Sequence, residues 1–228
     1  MNKSIIQSDH YSFHVSKGSL AYTDIDRIVS VQEDAYHKIT NKLDVVSQLH
    51  IKYHLVKSPI YCGRAFNTFL VNVGCDRIES YKTNAFAWYP DIVYATYNKT
   101  IKAIGCHEDT HLIAYEYFKQ LASRFFTEGL AVSFDEYWIG VPVHECAKPI
   151  VLRNINTIFE LLANEVFDST DCLLAYPVAG SFCLWFSQKY GMNEMKKVYR
   201  ESLHNPKYVI EKYKCDEYIE FIEDLSLS

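Results

Sequence analysis

Alternation of apolar and polar residues predicts strands in the first half of the chain. The alternating stretches are residues 10–15 and residues 50–56. Residues 91–97 form a β-branched and aromatic run, which predicts a third strand. Residues 61–89 are harder to interpret, and residues 68–73 are the best strand candidate among them.

Apolar residues three and four positions apart predict helices, one in the first half of the chain and several in the second. The early helix spans residues 24–43, with Thr23 or Asp24 as its N-cap. Beyond residue 122 the spacing predicts helices alone, and Gly191 stops one of them. These later helices are expected at residues 156–164, 176–190, 193–202 and 218–225.

Strands mixed with helices, followed by helices alone, predict an α+β fold. We expect a mixed lobe over residues 1–124 and an all-helical lobe over residues 125–228, with a cleft between them. The two lobes together could count as one catalytic domain, because 228 residues suffice for a single substantial core.

His107, Glu108 and His111 form the pattern His-Glu-x-x-His within a predicted helix that follows the strand at 91–97. Residues four apart share one face of a helix, so the two imidazoles can reach one metal ion. Glu108 then lies beside the metal, where it can take a proton from water, as in metal-assisted hydrolysis. The same five residues also fit an ordinary solvated helix face.

A third ligand is needed, because catalytic zinc sites use three protein ligands and a water molecule. Glu128 is the best candidate, at the start of an amphipathic helix seventeen residues after His111. Gly129 beside it leaves space for close contact between this helix and the helix of the two histidines. An Asp ligand in this region could only be Asp135, which lacks the Gly-Thr-x-x-Asp setting. Alternatively, Glu128 is a first-turn carboxylate stabilised by the helix dipole.

Together these motifs resemble the gluzincins, which are zinc metallopeptidases with a glutamate as third ligand. The likeness is greatest to the compact bacterial group called peptidase MA-like, and it covers roughly residues 91–200. It rests on the histidine motif, on Phe-x-x-Glu-Gly-Leu-Ala at 125–131, and on the segments 176–182 and 189–191. The Gly-x-Met-Glu-Asn element of aminopeptidases is absent, so the likeness does not extend to amino-terminal trimming.

The resemblance implies a zincin-like fold in which His107, His111 and Glu128 bind Zn²⁺ and Glu108 is the general base for peptide-bond hydrolysis. It also implies that the active site lies in the cleft between the lobes. The alternative function is a zincin-fold zinc-binding protein that captures a peptide or protein partner without turnover.

The resemblance further implies supporting roles for two residues and one strand. Tyr176 is the candidate donor to the oxyanion, although most tyrosines in this chain serve packing. Asp135 lies on nearly the same helical face as Glu128 and could hydrogen-bond a ligand imidazole. A solvated carboxylate is an equally good account of Asp135. The strand at 92–97 is expected to bind an extended peptide edge to edge.

Charge and hydropathy argue against two classes of partner, whereas a peptide or protein partner is what the resemblance implies. The net charge is −5 and no run of Lys and Arg reaches four residues, so neither nucleic acid nor an anionic membrane is an expected partner. No apolar run reaches the roughly 18 residues of a membrane span. The apolar stretch among the first residues is too short for a secretory signal, which predicts a cytoplasmic protein unless a signal has been removed.

The cysteines are expected to pack in the core, and three further histidines, His50, His54 and His144, are expected at the surface. Seven scattered cysteines without a C-x-x-C pair predict reduced thiols in a reducing compartment. Cys106 could be a soft ligand, but it points about 100° away from His107 on a helix, which favours core packing. His50 and His54 are expected on the solvent-facing side of their strand. His144 and Glu145 are expected in a surface loop that could border the cleft.

Overall fold

The computed structural model describes residues 3–225, which divide into two compact units, one ending at Tyr117 and the other beginning at Phe118. Helix makes up 57% of the described residues and strand 14%, which agrees with the α+β class. No helix in the described part of the chain is both long and apolar enough to cross a membrane. The lobes 1–124 and 125–228 stay a prediction, because compact units need not be independently folding domains.

The described part of the first unit alternates strands and helices. In chain order the elements are β1 (Lys3–Gln7), β2 (Tyr11–Ser16), α1 (Leu20–Thr23), α2 (Ile25–Leu43), β3 (Ile51–Val56), α3 (Pro59–Asn72), β4 (Ala85–Trp88), β5 (Ile92–Thr96) and α4 (His107–Phe118). The predictions for β2, α2, β3 and β5 are confirmed.

The strands form one mixed sheet in the order β1-β2-β3-β5-β4. β2, β3 and β5 are parallel, whereas β1 and β4 run antiparallel to their neighbours. β5 is therefore an interior strand, since Val93 pairs with Tyr53 on one side and Ala87 on the other. The expectation that this strand binds a peptide at its edge is wrong. The edge strand on that side of the sheet is β4, which is the neighbour of β5.

One face of the sheet forms the core of the first unit. Alternate residues of β2, β3 and β5 are buried on this face, as the alternating pattern predicted. Helix α2 contacts the same residues: the Tyr11 hydroxyl oxygen lies 2.9 Å from the Gln32 carbonyl oxygen, and the Tyr11 ring meets the Tyr36 ring edge-on.

The opposite face carries a ladder of stacked rings, one from each of four neighbouring strands. His14 stacks on His54 at 4.2 Å between ring centroids, His54 on Tyr94 at 4.3 Å, and Tyr94 on Phe86 at 5.3 Å. Each pair is directly opposed in the strand register. The expectation of a solvent-facing His54 is therefore wrong, because rings on the adjacent strands cover it.

This ladder makes stability depend on pH. Burial, helped by the charges of His14, Lys3 and Lys52, lowers the pKa of His54 to about 4. The unfolded chain therefore binds more protons than the folded one between roughly pH 6.5 and 4, so the free energy of unfolding falls as pH drops through that range. We expect His54→Phe to reduce the slope of the free energy of unfolding against pH by about 1.4 kcal/mol per pH unit, which corresponds to about one proton. Urea unfolding at several pH values measures this slope.

Tyr94→Phe is the matched control, because it keeps the stacked ring and removes a hydroxyl whose pKa is raised above its usual value near 10. Its slope should equal that of the unchanged protein over the same pH range. An unchanged slope in His54→Phe would contradict the burial of a neutral His54.

The strand expected at residues 68–73 is wrong, because helix α3 extends through Asn72. Pro59 stands at the first turn of α3, where its missing N–H costs nothing. Phe66 and Phe69, three residues apart, both contact the Phe86 ring. That spacing fits a helix lying on the sheet, so tertiary packing overrides the β propensity of the local run.

The described part of the second unit is mainly helical. Its elements are α5 (Arg124–Asp135), β6 (Tyr137–Trp138), β7 (Val141–Pro142), α6 (Val143–Arg153), α7 (Thr157–Leu161), α8 (Asn164–Ser169), α9 (Cys172–Tyr190), α10 (Met192–Glu201), α11 (Tyr208–Lys212) and α12 (Asp216–Asp224). Gly191 follows α9 with φ 85°, which confirms its predicted role as a stop.

Two expectations for this unit are wrong. The β6–β7 hairpin interrupts the region expected to be wholly helical. His144 and Glu145 lie in the first turn of α6 rather than in a loop. His144 is also bonded through Nδ1 to the Ser181 hydroxyl of α9 at 2.7 Å, so it holds α6 to α9.

Helices α5 and α9 cross closely where each carries a glycine. A Cβ on Gly129 would lie 2.7 Å from the Ala179 carbonyl oxygen and 2.7 Å from the Cys183 sulfur. A Cβ on Gly180 would lie 2.3 Å from a methyl carbon of Val132. The space beside Glu128 that the sequence suggested is therefore used by the backbone of α9.

Gly129→Ala should destabilise the protein strongly, because a main-chain carbonyl cannot move aside as a flexible side chain can. Overpacking typically costs about 1–3 kcal/mol, whereas the gain in helix propensity returns only about 1 kcal/mol. We expect a net loss of up to about 2 kcal/mol in the free energy of unfolding, measured by urea titration. Adding Cys183→Ala should restore only part of it, since the Ala179 carbonyl remains. Unaltered stability in Gly129→Ala would contradict the crossing.

Candidate metal centre

The start of α4 is fixed by a clamp from α2. Gln32 accepts a hydrogen bond from the Gly105 amide at 2.7 Å and donates to the Gly105 carbonyl at 3.3 Å. Within the first turn, the Thr110 hydroxyl donates to the Cys106 carbonyl at 2.8 Å. Helix α4 begins at His107, so this clamp sets the position of the first histidine.

A buried carboxylate sets the rotation of α4 about its axis. Asp109 is fully buried, and its Oδ2 accepts hydrogen bonds from the Tyr11 hydroxyl at 2.5 Å and from Gln32 Nε2 at 2.8 Å. Asp109 is two residues from both His107 and His111, which places it on the opposite side of the helix. The Asp109 bonds therefore turn both imidazoles away from α2. The residues around Asp109 in the sequence carry no signal of this role.

His107, His111 and Glu128 form a group that could hold a metal ion. Their ligand atoms all lie within 4.8 Å of one another. The two imidazole centroids are 5.0 Å apart with the ring planes at 85°. His111 and Glu128 are 8% and 5% exposed, and His107 is half-buried.

The three residues fit a zinc ion in donor type and in spacing. A tetrahedral zinc with bonds near 2.1 Å separates its ligand atoms by about 3.4 Å, so small side-chain rotations close the group around one cation.

Glu128 also forms an ion pair on its own helix. Arg124, one turn earlier on α5, lies with Nη1 2.9 Å from Glu128 Oε1, and its Nε donates to Asp168 at 3.0 Å. Burial lowers the pKa of Arg124, but the negative charges of the Glu128 and Asp168 carboxylates act against it, and the pKa lies above its usual value. Arg124 therefore stays charged and orients the Glu128 carboxylate.

Tyr176 lies near this ion pair, as its effect on Arg124 indicates. It stands in the first half of α9, and its ring contacts those of Trp138 and Phe167 at centroid distances of 5.3 and 5.8 Å. The ring contacts hold the phenol in place. Its role as oxyanion donor stays a prediction.

Glu108 and Asp135 are both half-buried. Glu108 lies near Cys62 of α3: burial first, and then the Glu108 charge, raise the pKa of that thiol to about 12. Asp135 is the last residue of α5, two turns beyond Glu128, and its bond to a ligand imidazole stays a prediction. Cys106 is buried, as core packing predicts.

No family model matches this chain, and no curated protein matches it.

Proposed function

We propose that this protein is a zinc metallopeptidase of the gluzincin type, with a zincin-like fold. The observation that carries the proposal is the buried group of His107, His111 and Glu128, with all ligand atoms within 4.8 Å. Two imidazoles and one glutamate are the donor set of several hydrolytic zinc enzymes, and three protein ligands leave one position for water.

Zinc is the cation that suits these donors best. Imidazole nitrogen favours zinc, copper, iron and nickel, whereas magnesium and calcium prefer sites built of oxygen alone. Zinc has no redox chemistry and accepts the tetrahedral arrangement that two helices can supply. When bound, zinc would lower the pKa of a coordinated water to about 7 and polarise the substrate carbonyl.

The residues of the chain would move the protons. Glu108 follows the first ligand on α4 and carries the carboxylate that accepts the proton of the attacking water. The same carboxyl then donates that proton to the leaving amine, which completes hydrolysis without a net change in the enzyme. The Tyr176 hydroxyl would donate a hydrogen bond to the developing oxyanion, with the Arg124 charge nearby.

β4 supplies an edge at which an extended peptide could dock. It is the outer strand beside β5, and the described residues place no further strand on its other side. Main-chain hydrogen bonds to such an edge bind a peptide irrespective of its sequence, while side-chain pockets give preference. The net charge of −5 disfavours nucleic acid as the substrate.

The cysteines favour a reducing compartment. All seven are free thiols, and such thiols are typical of proteins in the cytoplasm. We therefore propose a cytoplasmic peptidase that acts on peptides or proteins.

The direct test incubates the zinc-loaded protein with a mixed peptide library and identifies new termini by mass spectrometry. We expect cleavage that stops when a chelator removes zinc and resumes when zinc is restored. The metal-stripped protein in the same buffer is the control. Retention of peptides by zinc-loaded protein without any new termini would overturn the peptidase and support the alternative, a zinc-dependent capture protein.

A further inference from the structure

A second cluster of ligand-type side chains lies in the first unit, away from the histidines of α4. His10, Glu33 and His37 place their ligand atoms within 4.8 Å of one another. His10 and Glu33 are half-buried and His37 is exposed, so solvent reaches the cluster. The mechanism above uses none of these residues.

Two well-ordered elements hold the cluster in place. Glu33 and His37 are one turn apart on the 19-residue helix α2 and therefore share a face. His10 directly precedes β2, and its ring stacks on Tyr36 with centroids 3.9 Å apart. Its ring also meets that of His37 edge-on at 5.3 Å. The two imidazoles thus lie close together with their ring planes nearly perpendicular.

Glu33 is aimed at His10 by two hydrogen bonds. Its Oε1 accepts from the His10 amide at 3.0 Å, and its Oε2 lies 2.6 Å from His10 Nδ1. A cation held by both side chains would widen the second contact to about 3.4 Å and displace the proton between them. Most of the ordering that a metal site requires is therefore already present.

We propose that His10, Glu33 and His37 form a second site for a divalent transition metal, with zinc as the expected ion. Two imidazoles and a carboxylate favour zinc, copper or nickel over calcium or magnesium. Because His37 is exposed, the site exchanges ions with solvent and binds more weakly than the buried group.

The position of this site links it to α4. His10 is next to Tyr11 and Glu33 is next to Gln32, and these two neighbours are the residues that donate to Asp109. A cation on the surface cluster would tie β2 to α2 at the level where they hold α4. Binding should therefore stabilise the first unit.

The test counts zinc bound per chain by equilibrium dialysis and mass spectrometry as free Zn²⁺ is raised. We expect one tightly held equivalent and a second, weaker one. His37→Ala should weaken the second by at least about 100-fold, since even loss of a group that supports a ligand costs about 10–100-fold. Glu33→Gln, which keeps the side-chain shape, should also weaken it.

Matched variants separate this site from the buried one. His204→Ala, which removes another exposed histidine, should leave both equivalents in place. His111→Ala should lose the tight equivalent and keep the weak one, which His37→Ala then removes. If His111→Ala does not fold, the comparison of His37→Ala with the unchanged protein decides alone. Equal weak binding in those two proteins, or no second equivalent at all, would overturn the proposal.

Discussion

Glu108→Gln should leave zinc bound while peptide cleavage falls by about 10²–10⁴-fold, the usual contribution of general acid–base catalysis. Glutamine keeps the size of the side chain and its place on α4 but cannot accept the proton of the attacking water. The measurement is kcat/KM for the best peptide of the library, together with the zinc content of the same sample.

Glu145→Gln is the control, because Glu145 lies in the first turn of α6, as Glu108 lies in that of α4. Its kcat/KM should match that of the unchanged protein. Cleavage by Glu108→Gln at the full rate would show that Glu108 is not the base. Loss of zinc from the same variant would mean that its carboxylate serves the metal instead.

Replacing a ligand should remove the metal itself. His111→Ala leaves two of the three side chains, and we expect zinc affinity to fall by at least about 100-fold, beyond the effect of losing a supporting residue. The unchanged protein, purified without added metal and dialysed, should retain near one zinc per chain. The variant should retain none, as measured by plasma mass spectrometry.

His144→Gln controls for the loss of a half-buried, helix-borne histidine. Its side-chain amide can still bond Ser181, the partner of His144. Zinc content should stay the same in this variant. Glu128→Gln should behave like His111→Ala, because an amide is a poorer zinc ligand than a carboxylate. Full zinc retention in Glu128→Gln would remove Glu128 from the site.

The grouping of His107, His111 and Glu128 was predictable because each of these residues has a local signal in the sequence. His107 and His111 share a face through helical periodicity alone. Glu128 was found by its spacing and by the need for a third ligand, and the structure brings it to the two histidines. Strands β2, β3 and β5 and helix α2 were likewise predictable, because apolar periodicity reports burial directly.

The parts that were missed depend on tertiary contacts. The Asp109 network joins residues 98 and 77 positions apart in sequence, and nothing near Asp109 signals Tyr11 or Gln32. Part of the sequence of α3 is typical of a strand, and only the contacts of Phe66 and Phe69 with Phe86 of the sheet explain why it is a helix. The β6–β7 hairpin has only two residues in each strand, too few for alternation to show.

The cluster of His10, Glu33 and His37 was missed for a similar reason. The i, i+4 pair on α2 was visible in the sequence, but the third member comes from the turn before β2. Such a site appears only when two elements are brought together.

Anomalous X-ray diffraction on both sides of the zinc absorption edge tests the central claim most directly, using crystals of protein purified without added metal. We predict that the strongest zinc peak lies about 2.0–2.2 Å from one nitrogen of His107, one nitrogen of His111 and one oxygen of Glu128. Absence of zinc from these three residues, or a peak there that leaves Glu128 uncoordinated, would contradict the account.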